Sequence, residues 1–455
     1  MATDEVFNFG PGADIGWMMV SSALVFFMIP GLCLHFSGIS KPQSTLTLVR
    51  LPLITTAVVG CIWYTWGYSL AFSPAVYSNN TFTGVSWYGS DLKANAYLDV
   101  AARPVGIQGP DPNVMTGPKI PEMVYVFYQG MFACFTASLV AGGAAGKIRV
   151  GRFLLFITLW VTLVYCPVAR WTWHPSGWSK VRGAMDFAGG TAVHVCSGSS
   201  VAAFAVFAQL EARDWTATSD AETVQARLPY SINHMVLGTA LLWIGWFGFN
   251  GGSALGANLR AVSACLATQT AASAGGTVGL LLQWGLSRLD RMVEFCDGVI
   301  AGLVAITPAA GYVPVKYASV FGVVGAVVCK ILRMIFNTYL LREDRLSVFA
   351  VHAGGGATGM LLTAFFANNA TTGLDGYSRL VDRTMGARFR DQALDITACL
   401  CYAFTMTFTI LVLMRIMELC CHIKTSRYTG DGSDPYPDSY EALPQFRRRN
   451  AHKEV

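Results

Sequence analysis

The chain has 455 residues, of which 53% are hydrophobic and only 13% charged, with a formal net charge of +5. Soluble globular domains carry roughly 25% charged residues, so an ordinary water-soluble fold is excluded. The modest net charge decides little by itself, and no nucleic-acid partner is expected.

In chain order, the first ten residues carry two acids and no base, the reverse of a signal-peptide start. No cleavable signal peptide is therefore expected, and residues 1–14 are read as a short N-terminal segment, extracellular by the distribution of loop charges. Apolar runs follow at Ile15–Phe36, Leu51–Val76, Pro121–Gly146, Phe153–Ala169 and Phe187–Leu210, and then at Leu228–Leu259, Ala261–Leu286, Val299–Val315, Ala318–Leu341, Val348–Ala370 and Ala393–Leu413. A bilayer crossing takes about 20 predominantly apolar residues. Backbone groups in lipid must bond internally, so such runs are helices; barrel strands would be about 10 residues long and alternating. The expectation is an all-α membrane protein with eleven transmembrane helices across residues 15–421. Most of the twelve cysteines, Cys33, Cys61, Cys134, Cys196, Cys265 and Cys329 among them, lie inside these runs. They read as small hydrophobes rather than a disulfide framework. The tail, residues 422–455, is low in apolar content and contains Pro435, Pro437 and Pro444, the composition of a disordered segment.

Charge sets the topology. The loops after alternate runs, together with the tail, hold Lys41, Lys147, Arg149, Arg152, Arg213, Arg227, Arg288, Arg291, Arg342, Arg345 and Arg447–Arg449, whereas the opposite loops hold fewer bases over longer stretches. The positive-inside rule then places the tail in the cytoplasm and the N-terminus outside. The sequons at Asn79 and Asn369 both fall on the outer side, as glycosylation would require.

An internal repeat points to the membrane centre. Asp186 precedes His194 by eight residues and Asp344 precedes His352 by eight, and each segment ends in Ala-Val-His. The second lies five runs after the first, so the helices run in opposite directions, the mark of an inverted repeat, spans 1–5 against spans 6–10, with its site near the midplane. Eight helical residues rise about 12 Å, near half of a roughly 30 Å hydrocarbon core. Ionisable groups at that depth are costly and usually functional. Two histidines without a carboxylate or thiolate trio make a poor metal site, and no metal or cofactor is expected. His35, His174, His234, His422 and His452 lack this context and read as loop or helix-end residues.

The segment Asp186-Phe-Ala-Gly-Gly-Thr-Ala-Val-His194 resembles the fifth-helix signature of the Amt/Mep/Rh ammonium transporters, most closely their fungal Mep branch. Gly245-Trp-Phe-Gly-Phe-Asn-Gly-Gly-Ser253, Tyr128-Gln-Gly-Met-Phe132, Trp66-Gly-Tyr-Ser-Leu-Ala-Phe72 and Thr307-Pro-Ala-Ala-Gly-Tyr312 are similar to further family segments, in order. The resemblance runs from about Gly12 to Leu419. It implies that His194 and His352 are the twin pore histidines, and that Phe132 and Phe249 form a stacked gate. It further implies that Trp173, Ser253 and Tyr128 recruit the cation, that Asp186 is the acid near the vestibule, and that Trp246 is another vestibule aromatic. Ammonium or methylammonium would be the substrate, the assembly a homotrimer in the lipid of the plasma membrane, with one pore per subunit.

Each residue also has a plainer reading. Asp186 suits a helix cap, Phe132 and Phe249 suit packing, and Ser253 suits an interfacial turn. Ser347 stands where the family usually has an acid, Ala353 where glycine is usual, and the tail lacks the family pattern. A second class therefore stays open beside the transporter: an ammonium sensor or regulatory paralogue of the same fold. Conduction of neutral gas of the Rh type is a third. No nucleotide motif appears, and Ser253 with a distant histidine makes no catalytic triad, so an enzyme is not expected.

Overall fold

The computed structural model describes residues 11–40, 42–72, 120–211, 231–283 and 288–420. The Asn79 sequon, the 422–455 tail and most of the N-terminal segment lie outside the described residues.

Helix α1 spans Pro11–Ile39, and α2 spans Pro42–Ile62 and continues through a π-helical turn to Phe72. Helix α3 is Glu122–Ala144, and α4 runs from Val150 through a π turn to Trp173. Helix α5 is Gly190–Glu211, α6 Ile232–Gly252, α7 Leu259–Leu282 and α8 Arg288–Ile306. The last three are α9 Val315–Leu340, α10 Phe349–Phe366 and α11 Met385–Cys420. Among the described residues, nine helices are long and apolar enough to cross a membrane; α7 and α8 fall outside that class. Helix α7 is diluted by small and polar residues, and α8 begins among charges.

The run Val299–Val315 needs correction. The helix over it starts at Arg288 and stops at Ile306, and the residues that follow form a buried turn. Pro308 lacks an amide hydrogen and disfavours helical backbone in the residue before it. The charges upstream are tolerated because Glu294 and Asp297 of α8 pair with Lys330 and Arg333 of α9.

Packing follows the repeat. The contacts α1 with α2, α1 with α3, α2 with α3, α2 with α4 and α3 with α5 recur as α6 with α7, α6 with α8, α7 with α8, α7 with α9 and α8 with α10. The halves meet where α1 lies on α6 and α5 crosses α10, and α11 closes over α5 and α10. At the second crossing a Cβ on Gly356 would lie 2.5 Å from Gly190 O, and one on Gly198 would lie 2.5 Å from Ala353 N. Rising numbers on α5 thus meet falling numbers on α10, an antiparallel crossing with backbones in contact, and each glycine sits four residues after its histidine.

Beyond the helix ends, Arg260 of α7 ties several connections together. Its Nε donates to Gly311 O at 2.8 Å, its Nη1 meets Asp375 Oδ2 at 3.0 Å, and its guanidinium lies over the rings of Phe187 and Tyr312.

Candidate functional site

The start of α5 is built by one carboxylate. Asp186 Oδ1 accepts from the amides of Gly189 and Gly190, both at 2.7 Å, and Oδ2 from Thr191 at 2.7 Å and Ala192 at 3.3 Å. Four amides at a helix start otherwise lack partners. Burial raises the Asp186 carboxyl above its usual range, against the pull of the four amides. In the second half Asp344 does the same work, accepting from Val348 N at 3.0 Å and Phe349 N at 2.8 Å. Both helices then open in a π-helical segment, Gly190–Val195 and Phe349–Gly354, which carries the histidine. π turns widen the helix and are frequent at functional sites.

These segments bring the two histidines together. Nδ1 of His194 and Nδ1 of His352 are 3.1 Å apart, with the ring planes inclined by 32°. His194 is fully buried and His352 nearly so. One Nδ1 must carry a hydrogen and the other a lone pair, so the two Nε2 atoms are left in opposite states, one donor and one acceptor. Nε2 of His194 has no protein partner.

Aromatic rings continue the column. His194 lies parallel to Phe249 at 6.0 Å, and Phe249 stacks on Phe132 at 4.2 Å. Phe132 meets Trp173 edge-on at 5.8 Å and Tyr128 at 4.9 Å. Ser253 follows the end of α6 and donates to Phe249 O at 2.9 Å, while Tyr128 Oη donates to the same carbonyl at 2.8 Å or to Gly248 O at 3.0 Å. The two hydroxyls also lie 3.2 Å from each other; with both hydrogens spent on the backbone carbonyls, which can only accept, each oxygen keeps lone pairs to accept from a ligand. Trp173 Nε1 donates to Asp186 O at 3.3 Å, linking this end of the column to the α5 cap.

Two residues sit differently from expectation. Trp246 is fully buried against His194 at 5.6 Å, with Nε1 donating to Thr307 at 2.9 Å. It therefore stands at the histidine level, not among Trp173, Tyr128 and Ser253. Asp186 spends both oxygens on backbone amides. Ser347 is the repeat counterpart of Gly189: both have positive φ, 57° and 119°, and Ser347 Oγ accepts from Asn337 at 2.7 Å. Asp344 supplies the capping acid three residues earlier. The methyl of Ala353 lies in the space that Gly198 leaves. Thr307 belongs to a segment the resemblance marks, but its role as the partner of Trp246 has no signal in the sequence; the capping role of Asp344 is displayed by the repeat.

The sequence profile of the Ammonium Transporter Family matches residues 16–431. Ammonium transporter 1 of Schizosaccharomyces pombe is 36% identical over 418 residues, covering 90% of this chain and 78% of that protein. The Bacillus subtilis ammonium transporter is 33% identical, covering 94% and 99%. Among solved structures, Saccharomyces cerevisiae Mep2 superposes with a TM-score of 0.77 at 33% identity, covering 92% of this chain and 91% of that one.

Proposed function

The chain belongs to the ammonium transporter family, and on that premise we propose that it carries ammonium across the plasma membrane as a homotrimer with a pore in each subunit. The reading rests on one juxtaposition: an imidazole pair 3.1 Å apart behind rings stacked at 4.2 Å. Ammonium meets the face of Trp173, a cation–π contact of about 0.5–2 kcal/mol, and donates to Ser253 Oγ. Potassium donates no hydrogen bond, so the hydroxyl acceptors favour ammonium. Passing Phe132 and Phe249 strips water from the ion, and a bare charge at that depth is costly, which favours release of a proton and passage of ammonia. The histidine pair offers ammonia a donor and an acceptor nitrogen. Net charge moves because the proton follows.

In this reading the N-terminus is extracellular and the tail cytoplasmic, and the domain arrangement is 1–14, 15–421 and 422–455. Asn369, exposed on its connection, is then open to glycosylation. Apolar side chains exposed on α1 and α7, such as Phe26, Phe27, Val262 and Leu266, face lipid or neighbouring subunits.

The test is a current measurement. Ammonium pulses on proteoliposomes of the purified protein should evoke a current, methylammonium should evoke one too, and potassium should evoke none. A folded trimer that binds ammonium without current would make the chain a sensor instead.

A further inference from the structure

His35, read from the sequence as a helix-end residue, lies within α1 and is 5% exposed. Helices α1 and α6 are in backbone contact here: a Cβ on Gly238 would lie 2.3 Å from His35 N, and one on Gly38 would lie 2.5 Å from Met235 N. His35 Nδ1 is 3.0 Å from Thr239 Oγ1. That hydroxyl has one hydrogen, which it gives to Met235 O at 2.8 Å. With that hydrogen on Met235 O the hydroxyl oxygen accepts, and the tautomer that fits carries the hydrogen of His35 on Nδ1 with Nε2 as the base.

The position of His35 along the column follows from α6. Ser253, Phe249, Trp246 and Thr239 come in that order, and Trp246 stacks on His194. Thr239 lies seven residues beyond Trp246, about 10 Å further along the axis. His35 thus sits past the histidine pair on the side away from Ser253. It is within electrostatic range of His352 of α10 and of Asp297 of α8, the titratable groups that act on it, and Cys296 of α8 stands beside Thr239. Asp297 and Glu294 in turn are held by Arg333 and Lys330.

We propose that His35 is a third histidine of the conduction path, a proton station between the twin pair and the far exit. Its Nε2 takes the proton given up by the imidazolium of the pair, forming one N–H bond as another breaks. The same nitrogen then passes that proton to ammonia leaving the pore, which becomes ammonium, and the neutral Nδ1–H form returns. Thr239 is a positioning residue that holds the hydrogen on Nδ1 and so keeps Nε2 as the base, and Asp297 stabilises the transient positive charge.

This inference rests on the transport reading, and one experiment separates the two. Proteoliposomes of the native chain, of His35→Phe and of His35→Gln are given ammonium pulses while current and alkalinisation of the interior by entering ammonia are recorded together. The native chain gives both signals. Each folded variant is expected to keep ammonia entry while its current falls roughly 100-fold, the low end of what a positioned proton acceptor contributes. Thr239→Val should weaken the current less and shift its dependence on exit-side pH. Native current in either His35 variant overturns the proposal. Loss of both signals in folded variants also overturns it, because His35 would then only line the ammonia path. A silent native chain removes the transport reading and this inference with it.

Discussion

Asparagine is a poor stand-in for Asp186, although it caps ordinary helices as well as aspartate does. Here both oxygens accept from amides, and an asparagine would turn its own NH2 toward one pair of them. Asp186→Asn is expected to cost about 2 kcal/mol, the penalty of buried donors left without acceptors, read as a lower unfolding temperature in detergent. A loss of current in that variant would therefore follow from the cap alone. Ser347 poses the opposite case. Its left-handed backbone is tolerable for serine and strained for a β-branched residue, so Ser347→Val should lower stability by about 1–2 kcal/mol in the same assay. The sequence displayed both aspartates through their spacing to the histidines. It could not display the direction of their carboxylates, because capping and facing a cation demand the same residue type at the same place.

Helix crossing is what turns two distant histidines into a pair. Gly198 and Gly356 permit backbone contact between α5 and α10, and a side chain at either meets main-chain atoms that cannot yield. Gly198→Val should cost about 2 kcal/mol or more by overpacking and should part the imidazoles, which thermal unfolding and ammonium current would register together. The pairing was legible because the same Ala-Val-His recurs an odd number of helices later. His35 was not legible: nothing repeats it, and its surroundings come from α6, α8 and α10, far away in sequence. Trp246 stands at the histidine level rather than in the vestibule the resemblance implies, because seven residues, about 10 Å of helical rise, separate it from Ser253.

At the scale of the molecule, hydropathy found every apolar run but not the limits of all helices. The stretch at 307–313 is as apolar as its neighbours yet is buried as a turn, since protein interior and lipid select for the same residues. Conversely, the first half of α8 is charged yet helical because α9 supplies its counter-charges. Truncation after Ser426 removes a segment low in apolar residues that holds Pro435, Pro437 and Pro444, a composition with little to pack, so unfolding temperature and current are expected to stay unchanged. The clamp at Arg260 should matter more: Asp375→Asn leaves a buried guanidinium without its counter-ion, a loss of about 3 kcal/mol, detectable as a fall in unfolding temperature.

That clamp also imposes an order on biogenesis. Arg260 and Asp375 are 115 residues apart in the chain. At a synthesis rate of roughly 5–20 residues per second, the arginine emerges on the order of ten seconds before its carboxylate exists. Until then its end of α7 has reason to stay in water, and the connections around Phe187 and Gly311 have only an unneutralised cation to gather on. The first half of the protein can settle early, but the exit of the eighth helix, tied to Arg260 through Gly311, gains its neutralised clamp only after the tenth helix has been made.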